Sequence, residues 1–149
     1  TLHFGVNFFM FDNSPVLSIC MSCRDGREVV DGSRGGTRLA QVVVTQLGAR
    51  AATKLKLRGV RCMSQCKRPC IASLSSHDRF TYVFGDIDPE NPDHVDALFE
   101  LVVRYKTTPE GFLKRRERPE ALRSNILGRL PPLRSGSALV TPLDNGSAG

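Results

Sequence analysis

The sequence predicts an α/β domain whose elements run β-α-β-β-β-α around a mixed sheet, followed by a basic C-terminal appendage. Three observations predict it. Short apolar or β-branched runs recur near residues 15–19, 55–60, 71–74 and 80–84, separated by Gly, Pro and Ser. Two longer stretches, beginning at Thr37 and at Pro92, place their apolar residues at helical spacing instead. A chain of 149 residues, 40% hydrophobic and 24% charged, builds one ordinary core without staples, which excludes disordered, collagenous and membrane-spanning classes.

Taken in order, Pro15 to Ile19 is an apolar run ending on Cys20, the shape of a buried strand feeding a loop. Gly26, Gly32, Gly35 and Gly36 make the next stretch a flexible loop. From Thr37, a candidate N-cap, Leu39, Val42, Val43 and Leu47 recur at core spacing, and Gly48 marks the helix end. Leu55, Leu57 and Val60 form a second strand, Cys62 to Pro69 a loop, and Ile71–Leu74 a third strand. Phe80-Thr-Tyr-Val-Phe84 is the strongest strand signal, reached through a hairpin turn at Ser75–Arg79. Pro92–Asp93 opens a second helix whose Val95, Leu98, Phe99 and Val102 share one face.

The ends read differently. Thr1 to Asn13 is rich in Phe but has no basic n-region, and Asn7 and Asp12 break its apolar runs. No signal peptide is expected, a cytoplasmic location is, and residues 1–14 read as a poorly ordered extension. Leu17-Ser-Ile-Cys20 lacks the small residue that a lipoprotein box needs before its cysteine. From about Arg104 the appendage reads as unstructured or helical, and 134–149 as a disordered tail rich in Ser and Gly.

The chemistry concentrates in five cysteines, an odd number that argues against a purely disulfide-paired scaffold. They form two groups, Cys20-Met-Ser-Cys23 and Cys62-Met-Ser-Gln-Cys66-Lys-Arg-Pro-Cys70, with 38 residues between Cys23 and Cys62. That interval accommodates a helix and a strand. In a β-α-β unit both loops then lie at one end of adjacent parallel strands, so their thiolates converge. Four converging thiolates are what an iron–sulfur cluster or a tetrahedral zinc requires. Zinc sites favour a two-residue gap in both pairs, whereas the second group here has gaps of three. Arg61, Lys67 and Arg68 would offset the negative charge of a thiolate-ligated cluster. Buried structural thiols, or a redox dithiol at Cys20 and Cys23, are the competing readings.

Cys20-x2-Cys23, then Val60-Arg61-Cys62-x3-Cys66 and a strand, resembles the thioredoxin-like [2Fe–2S] ferredoxins and the small ferredoxin-like subunit of respiratory NADH dehydrogenases. More specifically, three motifs match: the run from Cys62 to Cys70, Phe80-Thr-Tyr-Val-Phe-Gly-Asp86, and Arg116-Glu-Arg-Pro119. Together they resemble a bacterial family of predicted metal-binding proteins of unknown function. That family is often encoded beside cobalamin-biosynthesis and cobalt-chelatase genes. The resemblance covers about residues 15–133. It implies a thioredoxin-like fold and a [2Fe–2S] cluster held by Cys20, Cys23, Cys62 and Cys66, with a role near cobalt or cobalamin metabolism. Cys70 stays open between a ligand and a buried thiol on the third strand. The first cysteine pair is more closely spaced than in those ferredoxins. Thioredoxin folds often carry a cis-proline before strand three, and Arg68–Pro69 is the place for it here.

Charge is uneven. Residues 104–149 hold nine basic and four acidic groups, and Arg50 to Arg68 holds seven Lys or Arg with no acid. Asp86 to Glu100 is the reverse, six acids with no base. A basic rim beside a redox centre points to an acidic redox or metal-delivery partner, with a homodimer left open. No membrane partner is expected, nor a nucleic-acid one, because aromatics do not interleave with Lys114-Arg-Arg-Glu-Arg118. Asp86, Asp88, Glu90 and Asp93 lack EF-hand spacing and read as a solvated loop, and His94 as a helix surface residue. No nucleophile–base set, phosphate loop or catalytic carboxylate pair is visible, so the chain is expected not to be an enzyme. The expectation is a thioredoxin-like [2Fe–2S] electron carrier or metal-binding protein. A zinc or cobalt chaperone module, or a thiol-disulfide oxidoreductase, is the alternative.

Overall fold

Strand β1 (Val16–Cys20) is buried on both faces, with Leu17 and Ile19 on one and Ser18 and Cys20 on the other. That places it inside the sheet rather than at an edge. The computed structural model describes residues 13–50 and 53–143. After β1 come the one-turn helix α1 (Glu28–Asp31), the long helix α2 (Gly35–Ala49), then β2 (Lys56–Val60), β3 (Ala72–Ser75) and β4 (Thr81–Phe84). Helix α3 (Pro92–Thr107), two 3-10 turns (Arg115–Glu117, Glu120–Leu122) and β5 (Ile126–Leu130) complete the order. The sheet runs β2-β1-β3-β4-β5, with β1 and β2 parallel and the other neighbours antiparallel. The expected α/β class, the mixed sheet and the β-α-β-β-β-α order of the main elements are all present.

A parallel pair needs a crossover, and α2 supplies it. It packs Leu39 and Val43 inward, at the spacing the sequence shows. The helix begins one turn earlier than its pattern suggested. Arg34 occupies the cap position without a side-chain bond to the helix amides, while Thr37 donates from Oγ1 to the Met21 carbonyl at 3.4 Å. Helix α3 starts where predicted, because Asn91 accepts the Asp93 amide at 2.9 Å and Pro92 needs no donor. Its buried Val95, Leu98, Phe99, Leu101, Val102 and Tyr105 form a stripe against the core. The β3–β4 hairpin turns at Asp78, whose φ of 64° suits Asp better than a β-branched residue.

From Arg104 the appendage holds the last turn of α3 and two 3-10 turns, and also a strand that its pattern did not show. Its β5 pairs antiparallel with β4, and Leu113 and Leu122 are buried in the main core. The anchors are polar as well as apolar: the Leu113 amide donates to the Tyr82 hydroxyl at 2.7 Å, and Tyr105 donates to the Phe80 carbonyl at 2.6 Å. Sequence pattern missed β5 because Ile126-Leu-Gly-Arg-Leu130 carries a glycine and no clean alternation. Of the expected N-terminal extension, residues 1–12 lie outside the described residues, as do 144–149 of the expected tail, while 134–143 form neither helix nor strand. The 68–69 peptide is trans, contrary to expectation; the cis bond lies one residue on, between Pro69 and Cys70. Among the described residues no helix is long and apolar enough to cross a membrane.

Candidate functional site

The parallel register pairs Cys20 with Val60, so the chain leaves both strands at the same edge of the sheet. Two loops meet there. The Met21 amide donates to the Val60 carbonyl at 2.7 Å, and Ser22 Oγ donates to the Arg61 carbonyl. From the other side, Arg34 Nη1 donates to the Ser22 carbonyl at 3.0 Å and the Gly36 amide to the Cys23 carbonyl at 3.1 Å. This close approach requires glycine. A Cβ on Gly36 would lie 1.9 Å from the Cys20 carbonyl oxygen, and one on Gly35 would lie 2.9 Å from Cys70 Sγ. Of the four glycines read from sequence as a flexible loop, Gly35 and Gly36 instead form the tightly packed first turn of α2, while Gly26 and Gly32 lie before it at positive φ.

Cys20 and Cys23 are buried side by side, and their thiols interact directly. Burial works to raise the Cys20 thiol. The Cys23 side chain and the amides of Ser22, Met63 and Cys23 outweigh it and hold Cys20 below the ordinary thiol value. Amides turned toward a sulfur stabilise negative charge there, as a ligating thiolate needs. Burial pushes Cys23 up to about 12 against an opposing Ile71 amide, and repulsion from Cys20 and Cys66 adds to it. Cys23 is therefore the meeting point of both cysteine groups. Cys62 and Cys66 are exposed on the second loop, where Cys62 Sγ accepts the Ser64 amide at 3.3 Å.

Cys70 lies just ahead of β3 with no exposed surface. Burial, then repulsion from Cys23 and Asp25, pushes its thiol up to about 12. Its backbone exchanges two hydrogen bonds of 3.2 Å with Ile87, which ties the end of the cysteine loop to the segment after β4. Among the described residues, no three His, Cys, Asp or Glu side chains stand together as a metal-holding group. Cys23 thus lies within electrostatic reach of Cys20, Cys66 and Cys70, while Cys62 is exposed on the second loop.

Sequence reasoning missed the polar frame behind the cysteines. Arg38, on the inward side of α2 and only 9% exposed, reaches the carboxylates of Asp25, Glu28, Asp31 and Glu90. Arg27 pairs with Asp88 and Glu90. Asp88 and Glu90, part-exposed as the solvated-loop reading expects, are also counter-charges for Arg27 and Arg38. Burial would raise the Asp25 carboxyl, but the Arg27 amide and the Arg38 guanidinium overcome it and hold it below the usual carboxylate range. His94 also does more than face solvent, since its Nδ1 accepts the Asp88 amide at 3.0 Å. The signal was present in two halves: an arginine among the apolar positions of α2, and an acidic run lacking local partners.

Compared with known proteins, the chain matches over residues 17–132 the family model described as a protein of unknown function, DUF1636. No curated protein matches it. Two solved structures are similar, both of a thioredoxin-like [2Fe–2S] ferredoxin from Aquifex aeolicus. One is 16% identical, covers 79% of this chain and 94% of its own, and has a TM-score of 0.49. The other, the wild type, is 14% identical, covers 54% and 80%, and has a TM-score of 0.39.

Proposed function

The chain belongs to the DUF1636 family of proteins of unknown function, and from that premise we propose that it is a cysteine-ligated [2Fe–2S] protein that carries single electrons. Cys20, Cys23, Cys62 and Cys66 would hold the group, and when bound it would supply reversible one-electron chemistry. The observation that carries the reading is the meeting of both cysteine loops at one edge of the sheet, with Cys23 in electrostatic reach of Cys20, Cys66 and Cys70. An all-sulfur donor set is the chemistry such a cluster demands. The rest of the frame is the protein's own: amides directed at Cys20, a neutral Cys70 behind Cys23, and Arg38 holding the loop through Asp25.

Exposure of Cys62 and Cys66 favours a second reading, a module that takes up and hands on zinc or cobalt. Burial of both Cys20 and Cys23 disfavours a thiol-disulfide oxidoreductase, whose attacking sulfur must be accessible. Anaerobic purification, with iron, zinc, cobalt and acid-labile sulfide counted per chain and an absorption spectrum taken, decides between these readings. The expected result is two irons and two sulfides per chain, lost together when Cys20 or Cys23 is replaced by Ser. One zinc or cobalt per chain without sulfide would replace the electron carrier with the delivery module.

A further inference from the structure

The surface around the cysteine loops carries exposed cations that lack a carboxylate partner among the described residues. Arg24, Arg34, Arg61, Lys67 and Arg68 are exposed within the two loops or beside them. Among them Arg68 is engaged by Asp86, and Arg34 is tied to the Ser22 carbonyl. Arg24, Arg61 and Lys67 have no carboxylate partner among the described residues. The neighbouring acids converge on two other arginines: Asp25, Glu28 and Asp31 on Arg38, Asp88 on Arg27, and Glu90 on both. The loop that leaves Cys23 also presents Val29 and Val30, which are 98% and 88% exposed. The segment after Cys23 thus carries both exposed cations and two uncovered valines, the polar and apolar elements of a contact surface.

We propose that this face, centred on exposed Cys62 and Cys66 and ringed by Arg24, Arg34, Arg61 and Lys67, docks a partner protein that presents clustered carboxylates beside an apolar spot. The proposal rests on the reading of the cysteines as the redox or metal centre, for which it names the partner's chemistry. Complementary charge would bring that partner onto the thiol-bearing edge, and the short exposed loop leaves little protein between the two. The basic appendage does not compete for this role. Lys114, Arg115 and Arg116 sit around a 3-10 turn that carries no cysteine.

Fluorescence anisotropy of the full chain, purified anaerobically, with labelled poly-L-glutamate and with a glutamate–tyrosine copolymer provides the test. Two triple variants change the net charge equally: R24E/R61E/K67E on the cysteine face, and K114E/R115E/R116E on the appendage. The cysteine-face variant is expected to lose about tenfold in affinity for both polymers and the appendage variant less than about threefold, with wild-type binding weakening as salt rises. The copolymer should bind wild type more tightly than poly-L-glutamate, and V29S/V30S should remove that advantage. All altered side chains are exposed and thermal melts verify folding. Equal losses in the two triple variants would overturn the proposal. So would a short DNA duplex binding wild type more tightly than either polypeptide, which would make the face a nucleic-acid surface. Iron and sulfide counted on the same samples keep the two readings apart. Equal losses with an intact cluster sink only the docking face. Zinc without sulfide sinks the cluster, and the affinity pattern still judges the face.

Discussion

Replacing Gly36 by Ala sets two effects of opposite sign against each other at the edge that holds the cysteines. In an isolated helix the change is favourable by up to about 1 kcal/mol, because glycine loses more backbone entropy on folding than alanine does. In this fold the new methyl would sit 1.9 Å from the Cys20 carbonyl oxygen, where real contacts essentially never fall below 3.0 Å. Backbone must therefore move by about 1 Å in a close-packed region, and the atoms in the way also include the Cys20 and Met21 carbonyl carbons. Overpacking of this kind costs about 1–3 kcal/mol or more, and a backbone neighbour cannot swing aside as a flexible side chain can. The packing effect wins, with an expected net loss of about 2 kcal/mol or more. Gly48 in the same helix is the control, since nothing lies within 4 Å of its Cβ position. Gly48→Ala should be neutral or stabilising by up to about 1 kcal/mol. Urea unfolding of the metal-free full chain measures both. A Gly36→Ala protein as stable as wild type, with unchanged iron content, would refute the reasoning and with it the requirement for close approach of α2 to Cys20.

Three other outcomes follow from the same geometry. Arg38→Met leaves Asp25 with uncompensated charge in a nearly buried place and should cost about 3 kcal/mol in urea unfolding. The loss should be smaller when Asp25→Asn is made as well, and additive losses would show that the pair is not coupled. In metal-free, reduced protein at neutral pH, iodoacetamide should label Cys62 and Cys66 first and Cys70 last, because the first two are exposed and Cys70 is buried with its thiol pushed up to about 12. Mass spectrometry of timed samples reads the order, and early labelling at Cys70 would contradict its placement. Asp25 has a folded value below its unfolded one, so its contribution to stability is complete above about pH 4 and disappears as pH falls through the lower folded value. Asp25→Asn should flatten that acid limb, and an unchanged slope below pH 4 would remove Asp25 from the balance.

The polypeptide's local pattern was enough for the six main elements, the parallel pairing of β1 with β2 and the facing of the two cysteine loops. Alternation, helical spacing and the Pro92 start are short-range signals, and right-handed β-α-β connectivity turns them into a topology. The sequence also marked Cys20, Cys23, Cys62 and Cys66 as residues to watch, because their grouping in polar loops is visible without coordinates. Only the folded chain decided what surrounds them. Arg38 and Glu90 are 52 positions apart, and Arg27 and Glu90 are 63 apart, so no local pattern could pair them. Burial on the inward side of α2 makes that charge pairing necessary, and burial is a property of the whole fold. The same holds for β5, whose weak local signal matters less than the free edge of β4 it covers. It holds for Gly36 as well, since a glycine in a glycine-rich run looks flexible until another backbone is found against it.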